Sequence, residues 1–368
     1  MPVAESGAPL VDRLAAPPSR EPLATAKAMR ILHGLALACV VTALLPITFG
    51  ALTTTEQAGM AVPDYPTTFG QNMVTYDMTA QPPEGAPQSR WHVFLEHTHR
   101  LGGMLIGLCC LAFFGAAMVL ERRRWMKVVA ALVLIGVISQ GLLGGVRVLR
   151  DNTSMAMVHG FTAALFFALL AFAATATSRR WWQPARAADA IRPAGLAGTK
   201  SIAAAAAVGL LIQYSLGGAL RHHGAGALLH AGFAFIAWML LVVAAGMAIG
   251  SGLRWVRGAG VALAAVASMQ VALGLAAWAA KFGVSSLGLV PGEGAAQMWL
   301  RTGHMVVGVL LVAATTLLIA RTARTLQLVS QADPHNLDDA ASINRPFADA
   351  HITDAHITDA RLTDGATA

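Results

Sequence analysis

Apolar positions come in blocks too long for a soluble core. Near 31–53, 94–120, 126–148, 155–178, 201–220, 226–250, 258–280 and 298–321 the chain holds long, mostly apolar runs. A helix crossing about 30 Å of hydrocarbon needs about 20 such residues. Eight membrane helices are therefore expected. Polar and Pro/Gly-rich segments separate them, and the widest gap inside the first half is 54–93. Around these runs the pattern predicts a leader over 1–28, a first four-helix unit over 29–178 and a linker over 179–200. A second unit follows over 201–322, then a polar tail over 323–368. The tail ends in a five-residue repeat, HITDA HITDA RLTDG, expected to be disordered. The fold class is all-α integral membrane protein, with eight transmembrane helices in two pseudo-symmetric four-helix bundles.

Composition agrees with that assignment. Of 368 residues, 56% are hydrophobic and only 12% charged, against roughly 25% charged in soluble domains. The net charge of +7 does not indicate nucleic acid, because the basic residues alternate between helix ends instead of forming a stripe. Seventeen Lys and Arg lie on the side of the leader and of the 2–3, 4–5 and 6–7 connections, against seven opposite. The positive-inside rule puts both termini in the cytoplasm of a bacterial-type cell. Of the three cysteines, Cys39, Cys109 and Cys110 all fall within helices, as small packing residues and not as a redox pair.

The two halves share a pattern. SQGLLGGVRV (139–148), IQYSLGGALR (212–221) and MQVALGLAAW (269–278) each place Gln four residues before Gly. The pairs are Gln140/Gly144, Gln213/Gly217 and Gln270/Gly274. Small residues at this spacing permit close helix packing, and a duplicated, functional unit explains the recurrence equally well.

Of twelve histidines, four lie inside apolar helices: His99, His159, His230 and His304. Each sits within about the first two turns of an even-numbered helix, so all four imidazoles share one depth, near the outer surface. Ionisable groups at membrane depth are costly, which favours function over packing when four recur in register. Even helices can oppose each other across a bundle core, where cofactors sit. Two opposed imidazoles suit the axial positions of a haem; zinc would require further ligands. Arg100, Arg147, Arg221 and Arg301 stand near the helix mouths as candidate partners for propionates. Small residues four positions after each histidine, Gly103, Ala163, Ala234 and Gly308, would leave room for a ring.

FLEHTHRLGGMLIGL (94–108) sharpens the site. Glu96 and His99 are three residues apart and share a helical face. His97 points about 100° away and is expected to face headgroups, another helix or water. The second half has Ala227 and Arg301 where a matching carboxylate would stand. The halves are thus chemically unequal, which suggests a reacting haem in the first and an electron-transfer haem in the second.

EHTHRLGG (96–103) resembles the Glu-x-x-His-Arg motif of the heme A synthases. GALTTTEQAGMAVPDYPTTFGQ (50–71) resembles their first external loop, through Ala58, Gly59, Met60, Pro63, Asp64, Tyr65 and Pro66. The resemblance extends over residues 30–322 and all four histidines. It implies oxidation of the C8 methyl of heme O to the formyl group of heme A, with oxygen from water, for cytochrome oxidase assembly. It also implies His99 and His159 as ligands of the substrate haem, His230 and His304 as axial ligands of a heme b cofactor, and Glu96 as catalytic. Heme O would come from heme O synthase; the electron acceptor stays open, and a homo-oligomer is compatible with the sequence. Three departures stand out. The external loops contain no cysteine pair, Tyr65 replaces a Trp, and Ala231 and Met305 follow histidines where Arg is common. The competing readings are a non-enzymatic di-haem b-type electron carrier and a transporter with histidine proton relays.

Overall fold

The computed structural model describes residues 23–84, 89–182, 193–283 and 294–332. The leader up to residue 22 and the tail from 333 lie outside the described residues, as does the expected repeat of the tail. Eight long helices carry the fold. They are α1 (Leu23–Thr55), α2 (Arg90–Leu120), α3 (Arg124–Leu149), α4 (Thr153–Thr177), α5 (Pro193–His223), α6 (Ala227–Gly250), α7 (Arg254–Phe282) and α8 (Ala295–Ala332). A four-residue helical turn, Arg179–Trp182, follows α4. No strand occurs among the described residues, only one isolated bridge between Thr68 and Gln71. All eight helices are long and apolar enough to cross a membrane, and the chain is a multi-pass membrane protein. α8 runs ten residues past the expected boundary at 322.

Turns of three residues join α2 to α3, α3 to α4, α5 to α6 and α6 to α7. Ser89 starts α2 by accepting a hydrogen bond from the His92 amide, and Asn152 starts α4 by accepting one from Met155. Each satisfies an amide that the first helical turn leaves without a partner. Between α5 and α6, Gly224 and Gly226 adopt φ of 68° and 79°, a left-handed conformation open to glycine at no steric cost.

The helix neighbours define the layout. α1 packs on α2, α2 on α3, α3 on α4, and α4 back on α1; α5 to α8 close in the same way. The two sets meet through α4, α5, α1 and α8. The interiors are built largely from Ala, with Cys39, Cys110 and a few large side chains such as Phe113 and Phe167. Small residues let helix backbones approach where no water drives them together. α8 serves both interiors, contributing Val309 and Ala313 to one and Leu311 and Leu318 to the other. At the end opposite the 56–89 loop, Arg123 lies between the Trp182 and Trp125 rings, 4.0 and 4.8 Å from their centroids. Outward-facing side chains such as Val119 and Leu228 are 82% exposed, an apolar surface suited to lipid.

Candidate functional site

Each set of four helices brings two histidines face to face. The His99 and His159 rings lie with centroids 6.2 Å apart and planes 84° apart. The His230 and His304 rings lie 6.2 Å and 89° apart. Metal–imidazole bonds of about 2.0–2.1 Å, with about 1.1 Å from nitrogen to ring centre, put trans imidazoles about 6.2 Å apart. Among the described residues no group of three or more His, Cys, Asp or Glu side chains could hold a metal. Two facing donors and no others fit a ligand that brings its own equatorial set, as haem does.

Glycines on the odd helices set these positions. A Cβ built on Gly50, Gly217 or Gly274 would fall 2.8, 3.0 or 2.9 Å from Cε1 of His99, His230 or His304. At Gly144 it would lie 3.4 Å from Cε1 of His159, an ordinary contact. The residue four positions earlier completes the bracket at His99, His230 and His304. In a helix the carbonyl of residue i points toward residue i+4, so a glycine there uncovers it for a neighbouring side chain. His99 Nδ1 donates to the Pro46 carbonyl at 2.7 Å, and His304 Nδ1 to the Gln270 carbonyl at 3.2 Å. Such a bond fixes the tautomer and leaves Nε2 unprotonated and able to ligate; at His304 the Gln270 amide also lies 3.5 Å from Nε2. The Gln213 amide lies 3.1 Å from His230 Nδ1 and donates to the His230 carbonyl at 2.9 Å.

The Gln/Gly motif is thus the wall against which three histidines rest. Pro46 and Gly50 form a fourth bracket that sequence reasoning missed, because proline stands where the other three have glutamine. The four-residue spacing was the signal available. Of the residues expected to make room, Gly103 has open space around it, whereas Gly308 faces the Gln270 amide.

The second pair opens on a cavity of about 800 Å³, a size suited to a cofactor. Gln213, Arg221, Gln270 and Arg301 line it with the two histidines, and Gly160 and Phe161 reach it from α4. Arg221 donates from Nη2 to the Ala51 carbonyl at 2.6 Å and to Thr55 Oγ1 at 2.9 Å. Its buried Nε has no hydrogen-bond partner, so a donor is left over for an anionic group.

The first pair lies beneath the loop. Glu96 is 2% exposed. It accepts from the Val62 amide at 3.0 Å and from Arg100 at 2.7 Å. Arg100 also donates to the carbonyls of Val62, Asp64 and Thr67 at 2.7, 2.6 and 3.1 Å. The guanidinium is thereby engaged with the loop and the carboxylate. Arg147 donates to the Gly59 carbonyl at 2.7 Å, and its charge acts on Glu96, His99 and His159 alike. Tyr65 packs on α3 where a Cβ at Gly145 would come within 2.5 Å of its ring. Asp64 holds the loop's own shape, accepting from Thr67 Oγ1 and from the Phe69 and Gly70 amides. Burial works against its charge, but these bonds prevail and hold its carboxyl below the usual range.

His97 corrects an expectation. It does not face headgroups or water: it is 1% exposed, with Nδ1 3.1 Å from Thr68 Oγ1 and its ring 5.2 Å from that of Tyr76. The helical face opposite Glu96 is covered by the folded loop, which places His97 in a structural role.

Residues 33–232 match the family of cytochrome oxidase assembly proteins, COX15-CtaA. The chain belongs to this family, that of the heme A synthases. The match spans Glu96, His99, His159 and His230 and is narrower than the expected 30–322. His304 therefore enters the site through its geometry alone. No curated protein matches the chain significantly.

Proposed function

We propose that this chain is a heme A synthase that oxidises the C8 methyl of heme O to the formyl group of heme A, with oxygen from water and the released electrons passed to an external acceptor. The observation that carries this reading is the pair of facing imidazoles in each half, at equal spacing, in a member of this family. His99 and His159 hold the substrate haem; His230 and His304 hold a heme b. Bound there, the haem irons supply the one-electron chemistry that no side chain here provides. The chain contributes position and field. Backbone carbonyls aim His99 and His304, and the loop excludes water from the first site. Glu96, between Arg100 and Arg147, supplies a carboxylate near the reacting methyl, able to accept a proton. Arg221 and Arg301 favour propionates at the second site. Heme O arrives from a heme O synthase. Both termini and the basic helix ends face the cytoplasm, with the histidine pairs near the outer face.

The test is co-expression with a heme O source, followed by chromatography of extracted haem. Wild type should accumulate heme A. Glu96→Gln should lower its yield by about 10²-fold or more, as loss of a proton-accepting group does. Unconverted heme O with wild type would refute the assignment. A second reading, a di-haem b-type electron carrier, draws on the near-identical geometry of the two pairs. It requires two b-type haems and no conversion, which the same chromatogram distinguishes.

A further inference from the structure

The two pairs agree in spacing but differ in how one imidazole is held. In the second half the Gln213 amide engages both the ring and the carbonyl of His230. Gln140, its counterpart by the Gln-x-x-x-Gly spacing, instead donates from Nε2 to Thr162 Oγ1 at 2.8 Å. The Thr162 hydroxyl donates onward to the Val158 carbonyl at 2.8 Å, so its lone pair is presented to Gln140. Three residues after His230, where α4 has this threonine, α6 has Phe233. As a result, His159 Nδ1 is buried without a hydrogen-bond partner; Gln140 Oε1 is too, but so are its counterparts in Gln213 and Gln270. Across the pair, His99 Nδ1 is fixed on the Pro46 carbonyl at 2.7 Å.

We propose that Thr162 holds Gln140 off His159 and thereby makes His159 the releasable ligand of the first pair, with His99 the permanent one. The proposal rests on reading the pairs as haem sites and adds a division of labour within one of them. A ligating imidazole whose second nitrogen is hydrogen-bonded is fixed in orientation and more basic; losing that partner lowers metal affinity by about 10–100-fold. A site that takes up a substrate haem and gives up a product haem needs one weak axial bond. A resident cofactor has no such need: His304 Nδ1, like His99 Nδ1, donates to a backbone carbonyl, and the Gln213 amide holds His230 in place. Thr162 and Gln140 are positioning residues, acting only through His159.

Carbon monoxide is the probe, on full-length protein loaded with iron protoporphyrin IX at both sites and reduced with dithionite. In the exchange the iron–Nε2 bond to His159 breaks and an iron–carbon bond forms, with no change of oxidation state. Wild type should take up carbon monoxide at one haem of two. Thr162→Val frees Gln140 to turn its Oε1 onto the His159 Nδ1–H, the kind of acceptor contact that the Pro46 carbonyl gives His99, and uptake should slow by about 10-fold or more. Thr162→Ala should do the same, Thr162→Ser should behave as wild type, and Thr162→Val with Gln140→Leu should recover wild-type rates. The second-site Soret band reports folding in each variant.

Uptake at unchanged rate in both hydroxyl-free variants would overturn the proposal, as would a slow phase that survives Gln140→Leu. A protein with no Soret absorption, or with pigment indifferent to His99→Ala and His230→Ala, would refute the haem reading itself. The two failures are therefore distinguishable.

Discussion

Arg100 joins the loop to the helix that carries His99. Its guanidinium satisfies three loop carbonyls and the Glu96 carboxylate, a task for a planar fork of donors and not for a single ammonium. Removing one partner of a buried ion pair costs about 3–5 kcal/mol. Arg100→Met should therefore destabilise the protein by about that amount in thermal unfolding in detergent, with cleavage concentrated in the loop. Arg100→Lys should recover only part. Asp64 adds a pH dependence. Its carboxyl is held below the usual value by the bonds from Gly70, Thr67 and Phe69. A depressed native value means that its contribution is fully present above the unfolded value, about 3.9, and is lost as pH falls through the native one. Limited proteolysis should find the loop protected from neutral pH down to about 4 and progressively cut below it. Asp64→Asn should remove that dependence.

At the scale of elements, the brackets on α1, α3, α5 and α7 decide how close each histidine-bearing helix can come. The distances give a graded prediction. Gly50→Ala and Gly274→Ala put a methyl 2.8 and 2.9 Å from an imidazole carbon, closer than carbon contacts of about 3.5–4.0 Å allow. Each should abolish or strongly weaken haem binding at its own site. Gly144→Ala, at 3.4 Å, should retain it. Soret absorbance per protein checks the series, and equal loss in all three variants would contradict the bracket. The histidines were legible in the sequence because ionisable groups stand out in an apolar run, and their even-helix register followed from span counting. Glu96 stood out by its three-residue offset from His99, but its bonds to Val62 and Arg100 left no such mark. The brackets were only half legible. A backbone carbonyl such as Pro46 leaves no trace in side-chain pattern, and glycine serves packing as readily as ligand support. His97 was misplaced because its cover, Thr68, is 29 residues away in sequence, a loop contact that helical periodicity does not encode.

Across the whole molecule, one helix neighbour pattern is used twice, and residues 58–71 fold over the first half. α8 packs on α1 and α4 of the other half. Arg221 of α5 reaches Ala51 and Thr55 of α1. The two histidine pairs are thus held in one body, and the second-site cavity takes part of its wall from α4. Such continuity suits a reaction in which electrons leave one site by way of the other, while each pair remains a separate binding site. We propose that the first pair carries the haem undergoing reaction and the second a resident heme b. Chromatography of haem extracted from purified wild type and His99→Ala, both expressed with a heme O source, tests it most directly. Wild type should contain heme b together with heme O or heme A, and His99→Ala should contain heme b alone. Heme O or heme A retained by His99→Ala, or wild type holding only heme b, would contradict it.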